Sequence, residues 1–474
     1  GFPCVSRDPE RSGRKQSILS RMESASKVLL GTKGRSTLGL AVLAGLALFA
    51  GHSGNEAAAS NASLSPAERR LAGIIDAQNA EAQALLERVV NINSGTHNLA
   101  GVREVGRTFE EQLGQLGFRT RWVDGRSFER AGHLVADHPG PGPRILLIGH
   151  LDTVFDSDSP FQKFERLSGN EAHGPGIIDM KGGDVIIVAA LKALSSAGLL
   201  KNLNVVVVMT GDEEDSGRPL SEARAALVAA AKGAEFAIGF EDGDGDPHHA
   251  VTARRGSTSW RISVQGEPAH SSQIFREDVG AGAIFEAARI LDGFRAQLGG
   301  EAHLTFNPGT ILGGTRVDFD AAQGPGTATG KNNIIAARAE VSGDLRALSL
   351  EQFSSARRRM QEIVEASLPH TQARIDFDEG YPPLAPSPGN DELLGLYNQV
   401  SLDLGFGAVT AVSPDKAGAA DVAFVAEEVP KILDGVGLRG RDGHTPKETA
   451  DLSTLSIQTK RAAVLLYRLS QSPH

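Results

Sequence analysis

Three runs of almost uninterrupted apolar residues set the terms for this chain: Arg144–Gly149 (RILLIG), Leu203–Met209 (LNVVVVM) and Glu235–Phe240 (EFAIGF). A strand without polar alternation has no face to give to water, so each run belongs inside a sheet covered on both sides. Helical patterns at Gly183–Leu199 and Ser221–Lys232 lie between the runs. Alternating strands and helices build a largely parallel α/β sheet, and ligands of such sheets collect beyond the carboxyl ends of the strands. Upstream, an Ala- and Asn-rich stretch over 60–80 reads as a tether into a helix at about 78–92.

The pattern changes over residues 253–380. Strand Ser257–Gln265, helix Val279–Leu298, strand Leu304–Leu312, strand Ile334–Leu345, helix Leu350–Ser367 and strand Ala373–Asp378 follow in βαββαβ order. That order is the signature of a ferredoxin-like α+β domain. The α/β pattern then resumes, with a helix from Asp391, strand Lys431–Leu433 and a long helix Leu452–Leu469. The expected organisation is therefore a leader (1–59), a large domain in two parts (60–252 and 381–474) and a small domain inserted between them (253–380).

The leader rests on a 13-residue apolar run at residues 38–50, preceded by Lys27, Lys33 and Arg35 and followed by Ala57-Ala58-Ala59. A basic region, a short apolar core and an Ala-x-Ala site describe a secretory signal peptide, and the run is short for a membrane span. Met22 is a plausible start. The expectation is a periplasmic or secreted protein. Its only cysteine, Cys4, would be lost with the leader, so any metal must be held by His and carboxylates. Residues 1–59 carry 8 basic and 4 acidic residues, so the net charge of −10 becomes −14 once they are removed. Such an acidic chain offers no electrostatic footprint for nucleic acid or anionic membranes.

Five short segments rich in Asp, Glu and His fall where expected strands run out: His150-Leu-Asp152-Thr-Val, Gly-Ile-Ile-Asp179-Met-Lys-Gly-Gly, Gly-Asp-Glu213-Glu214-Asp-Ser-Gly, Phe-Glu241-Asp and Asp-Gly-His444-Thr-Pro. Together they supply two His and three carboxylates as ligands with one Glu to spare, the inventory of a two-zinc site with a general base. Asp152 stands two residues after His150, on the same side of an extended segment, where it can fix the imidazole tautomer. Asp179 has two oxygens and can bridge two cations, although Asp before a helix is also an ordinary N-cap. Of the adjacent Glu213 and Glu214, one can bind metal while the other faces water. A solvated acidic loop is the plain alternative. The spacing does not decide between Glu241 and Asp242 as ligand.

With these motifs, and the small-domain segment Pro-Ala-His270-Ser-Ser, the chain resembles the dizinc metallopeptidase family of glutamate carboxypeptidase, aminoacylase, succinyl-diaminopimelate desuccinylase and peptidase T. The resemblance extends from about residue 80 to 470. It implies a zinc-exopeptidase catalytic domain with an inserted ferredoxin-like dimerisation domain, acting on a small peptide or N-acyl amino acid. His150 and Glu241 would bind one zinc, Glu214 and His444 the other, and Asp179 both. Glu213 would be the general base, with Asp152 supporting His150. His270 would reach the active site of a partner subunit and stabilise the oxyanion there. Asn333 and Arg346 would bind substrate, Arg346 holding its free carboxylate. A cis peptide is implied after Asp179. The glutamate carboxypeptidase branch fits best, which implies a carboxypeptidase releasing an acidic, glutamate-like amino acid; the alternatives are an N-acyl-amino-acid deacylase or a poly-acidic peptide hydrolase on the same scaffold and, more remotely, a non-catalytic exported binding protein. His248 and His249, in an unusual acidic loop, are candidates for contacting a side-chain carboxylate.

Overall fold

A computed structural model describes residues 64–319 and 326–471. The leader pattern over 1–59, with Cys4 and Met22, lies outside the described residues. Within them, the first helix begins at Pro66, not near residue 78, so most of the expected tether is helical. The cause is a capping box that the Ala-rich composition hid: Glu68 N–H donates to Ser65 Oγ (3.2 Å), and Ser65 N–H donates back to Glu68 Oε2 (2.6 Å).

From that cap α1 runs Pro66–Val90, followed by α2 (Leu99–Gln115), β1 (Arg119–Asp124), β2 (Gly132–His138) and β3 (Arg144–His150). Then come α3 (Gly182–Ser196), β4 (Asn204–Thr210), α4 (Ala225–Ala231) and β5 (Phe236–Gly239). The second unit comprises β6 (Gly256–Gly266), α5 (Ala283–Leu298), β7 (Thr305–Gly314), β8 (Arg338–Ala347), α6 (Leu350–Glu365) and β9 (Thr371–Phe377). The chain then returns through α7 (Pro388–Asp403), β10 (Lys431–Leu433) and α8 (Ser453–Leu469).

The first sheet has the order β1-β2-β4-β3-β5-β10. Strands β4, β3, β5 and β10 are parallel, and β1 and β2 add an antiparallel edge. Alternate residues of β3 go to opposite cores: Ile145 and Leu147 lie with α1, α3 and α8, whereas Leu146 and Ile148 lie with α4 and Val422. Both faces are covered, as the unbroken apolar runs require. His150 then stands at the last position of β3, level with Thr210 of β4.

The second sheet is antiparallel, ordered β7-β8-β6-β9. Trp260, Ile262 and Val264 of β6 face α5 and α6, and β7 and β9 form its edges. The two connectors between the sheets lie side by side. Arg254 and Leu384 exchange backbone hydrogen bonds (2.9 and 3.0 Å), and Ser257 N–H donates to Tyr381 O (3.0 Å). No helix among the described residues is long and apolar enough to cross a membrane.

Candidate metal centre

Four of the five acidic and histidine segments leave the carboxyl end of the first sheet or the loop beside it, and the fifth, carrying His444, folds over them. The geometry centres on Asp179. Its Oδ1 lies 3.0 Å from His150 Nε2, and its Oδ2 lies 2.8 Å from His444 Nε2. Each imidazole has a second carboxylate: Glu241 Oε1 is 3.6 Å from His150 Nε2, and Glu214 Oε2 is 3.3 Å from His444 Nε2. The arrangement is two His–carboxylate pairs sharing one Asp between them. Glu241, rather than Asp242, reaches His150. The peptide Asp179–Met180 is cis.

The backbone around these groups is held by buried acceptors. Asp152 is fully buried and accepts from Thr96 Oγ1 (2.6 Å), Glu213 N–H (3.0 Å) and Glu214 N–H (3.1 Å). Its carbonyl oxygen lies 3.0 Å from His150 Nδ1, closer than its carboxylate at 3.4 Å. The backbone acceptor therefore has the better claim on the tautomer, and the carboxylate chiefly positions the two Glu residues. Glu448 does the same for the bridging residue, accepting from the amides of Gly176 (2.9 Å), Ile178 (2.8 Å) and Asp179 (3.2 Å). Asp434 lies 3.4 Å from the Glu241 amide and takes Arg254 Nε at 2.8 Å. His444 and Asp442 have φ near +60°, a region that non-glycine residues enter rarely, Asp and His more readily than most.

The electrostatics follow from crowding. Burial opposes the charge on Asp179, but the hydrogen bonds from His150 and His444 hold its carboxyl far below the usual range. Burial and the Asp179 charge push Glu214 and Asp242 each up to about 7. Burial, with Asp421, Glu214 and Asp179 adding repulsion, raises Glu213 well above an ordinary Glu, and Glu241 is raised by burial and Asp179. Hydrogen bonds to Asp179 and Glu214 raise His444 to about 11. The buried Oε1 of Glu214 has no hydrogen-bond partner. Glu213, Glu214 and Glu241 stay raised although His150 faces all three and His444 faces Glu214. A donor set of imidazole and carboxylate with an orphaned buried oxygen suits divalent cations, and His150, Asp179 and Glu214 offer ligand atoms within 4.8 Å of one another.

The second unit's candidates stand apart. His270 Nδ1 is bonded to its own Ser272 Oγ (2.8 Å), and the Asn333 carbonyl accepts from Ser271 N–H (2.9 Å), so these two exposed residues adjoin each other. Arg346 Nε donates to Asp344 Oδ2 at 3.0 Å, both side chains 38% exposed. Residues i and i+2 of a strand share a face, which is why Asp344 takes it. Among the described residues, none of the three contacts the cluster. His248 and His249 are also engaged elsewhere, with Ala408 O (3.2 Å) and Asp244 Oδ2 (2.9 Å).

Sequence reading gave no role to Glu448, Asp434, Arg224, Asp421 or Tyr381, which brace the site loops. Glu448 carried the one available signal, four residues after His444 in the same loop.

A protein-family model described as peptidase family M20/M25/M40 matches residues 146–468. Carboxypeptidase G2 of Pseudomonas sp. (strain RS-16) is 25% identical over 391 residues, covering 81% of this chain and 88% of its own. Acetylornithine deacetylase of Yersinia pseudotuberculosis serotype O:1b (strain IP 31758) is 26% identical over 316 residues, covering 65% and 75%. Among solved structures, a dinuclear metal-binding peptidase of family M20 from Bacillus subtilis superimposes with a TM-score of 0.58 at 15% identity, over 84% of this chain and all of the other.

Proposed function

The chain belongs to peptidase family M20/M25/M40, a metallopeptidase and amidohydrolase family, and from that premise we propose that it is a two-zinc exopeptidase of carboxypeptidase type. It would hydrolyse an amide and release an amino acid with a free carboxylate, an acidic, glutamate-like one being the preferred leaving group.

 The observation that carries this reading is Asp179, whose two oxygens face one imidazole each, with Glu241 and Glu214 completing the two sides.

On this reading His150, Asp179 and Glu241 hold one zinc, and Asp179, Glu214 and His444 the other. When bound, the pair supplies Lewis acidity toward the scissile carbonyl and makes water a better nucleophile near neutral pH. The chain's own part is proton handling. Glu213 is next to a ligand but is not one, so on this reading its carboxylate is left free to exchange a proton. It takes a proton from the attacking water and delivers it to the leaving amine. Asp152 holds the Glu213 amide, so the base has a fixed origin. His270, contributed by a partner subunit, would stabilise the oxyanion, and Arg346, exchanging Asp344 for substrate, would hold the free carboxylate.

Three further elements belong to this proposal. The chain forms a homodimer through the second unit, where Phe275 (66% exposed), Phe285 (51%) and Ile311 (53%) leave apolar surface beside the edge strand β7. The protein is exported, a reading supported by the residue pattern over 27–59. The metal is zinc. An N-acyl-amino-acid deacylase is the second reading, favoured by the similarity to acetylornithine deacetylase. The test is a panel of N-acyl amino acids and dipeptides varied at the C-terminal residue, run with metal analysis. Release of acidic residues from peptides with two zinc ions per chain supports the first reading. Selective removal of small acyl groups supports the second, and a single metal at full activity refutes the two-zinc centre.

A further inference from the structure

Tyr381 belongs to the connector that leaves the second unit, yet its side chain ends behind Glu213. Its hydroxyl donates to the Glu213 carbonyl oxygen at 2.8 Å. The same hydroxyl oxygen accepts from Arg224 Nη2 at 2.6 Å and lies 3.0 Å from Ser216 Oγ. Arg224 is itself fixed, its Nη1 on Asp212 (2.7 Å) and its Nε on Asp421 (2.8 Å), and Asp421 also accepts from Thr210 Oγ1 at the end of β4 (2.6 Å). The phenol ring meets Phe424 edge-on at 4.8 Å. Both backbone polar groups of Glu213 are therefore held by side chains, the amide by Asp152 and the carbonyl by Tyr381. A base carried on a loop gains from two such anchors, because proton transfer is sensitive to displacements of an ångström.

We propose that Tyr381 is a positioning residue for proton transfer by Glu213, so that the connector of the second unit sets the posture of the base. The inference rests on the reading of Glu213 as the base. A merely structural tyrosine, there to satisfy Arg224, would cost the same factor whichever residue stood at 213.

The experiment is a double-mutant cycle on the metal-loaded enzyme. Tyr381→Phe keeps the ring and its contact with Phe424. It should retain the metal content and change KM by less than about twofold, while lowering kcat by about 10- to 100-fold. In a Glu213→Asp background, where the carboxylate is already withdrawn, the same substitution should cost less than about threefold. Equal losses in the two backgrounds overturn the proposal, as does a loss carried by KM or by metal content. Glu213→Gln is measured alongside. If it turns over at the wild-type rate, the base assignment itself fails, whatever Tyr381→Phe does.

Discussion

The two units of this chain present their candidate residues in opposite ways. In the first, His150 and Asp152 are buried, Glu241 and Glu214 gather with the two imidazoles around Asp179, and the surrounding amides are taken by Asp152, Glu448 and Asp434. In the second, His270 and Asn333 are exposed, and Arg346 is occupied by its neighbour on the strand. The candidate metal ligands stand at or beside strand ends whose sheet is packed on both faces. The residues proposed to meet substrate lie in the second unit, and on the proposed reading they would act only when the units close or a second copy docks. Removing part of the first unit should therefore abolish the reaction, and changes in the second should grade it.

The largest expected effect is metal removal. Exhaustive chelation should abolish activity, and added Zn2+ should restore it; activity that survives with no metal detected would remove the contrast at its root. Next is Glu213→Gln, expected to lower kcat by about 10⁴-fold while metal content stays unchanged. If zinc is lost from Glu213→Gln and kept in Glu214→Gln, the roles of the two residues are exchanged. His270→Ala should cost about 10²–10³-fold in kcat. Dimers mixed from His270→Ala and Glu213→Gln chains should regain activity, because one of their two sites receives both intact groups. No regain would place His270 outside the partner's site. Arg346→Ala is the smallest, about 30- to 150-fold on free-acid substrates and little on amidated ones. Equal discrimination by mutant and wild type would leave Arg346 as the partner of Asp344 alone.

Much of this was legible in the sequence, for identifiable reasons. Runs such as LNVVVVM have one good solution, and strand β4 begins and ends within a residue of the run. The βαββαβ order reads directly into the β7-β8-β6-β9 sheet. His150, Asp179, Glu214, Glu241 and His444, which the fold brings together, could be picked out as candidates because few residue types can hold a metal and these stand at strand ends or in the loops beside them. Other parts were illegible because they depend on contacts distant in the chain. Glu448 touches the Asp179 amide across 269 positions, and Tyr381 touches Glu213 across 168. The antiparallel edge, β1 and β2, carries mixed residues such as Arg119, Thr120 and Arg121 that give no clean period. The choice between Glu241 and Asp242 needed the direction of one side chain.

The paired connectors bear on how such a chain is put together. An inserted domain ordinarily imposes a loop-closure cost on its host, because a long segment must leave and return to the same place. Here the departing and returning segments meet as hydrogen-bonded neighbours at Arg254 and Leu384, about 5.5 Å apart for a pair of this kind. A turn of two residues bridges that gap in an ordinary hairpin. To the large domain, the whole second sheet is thus equivalent to a hairpin tip. It is a cassette whose exchange would leave the strand order of the host untouched, provided that the connector residues Arg254 and Tyr381, which reach back to the first unit, are kept.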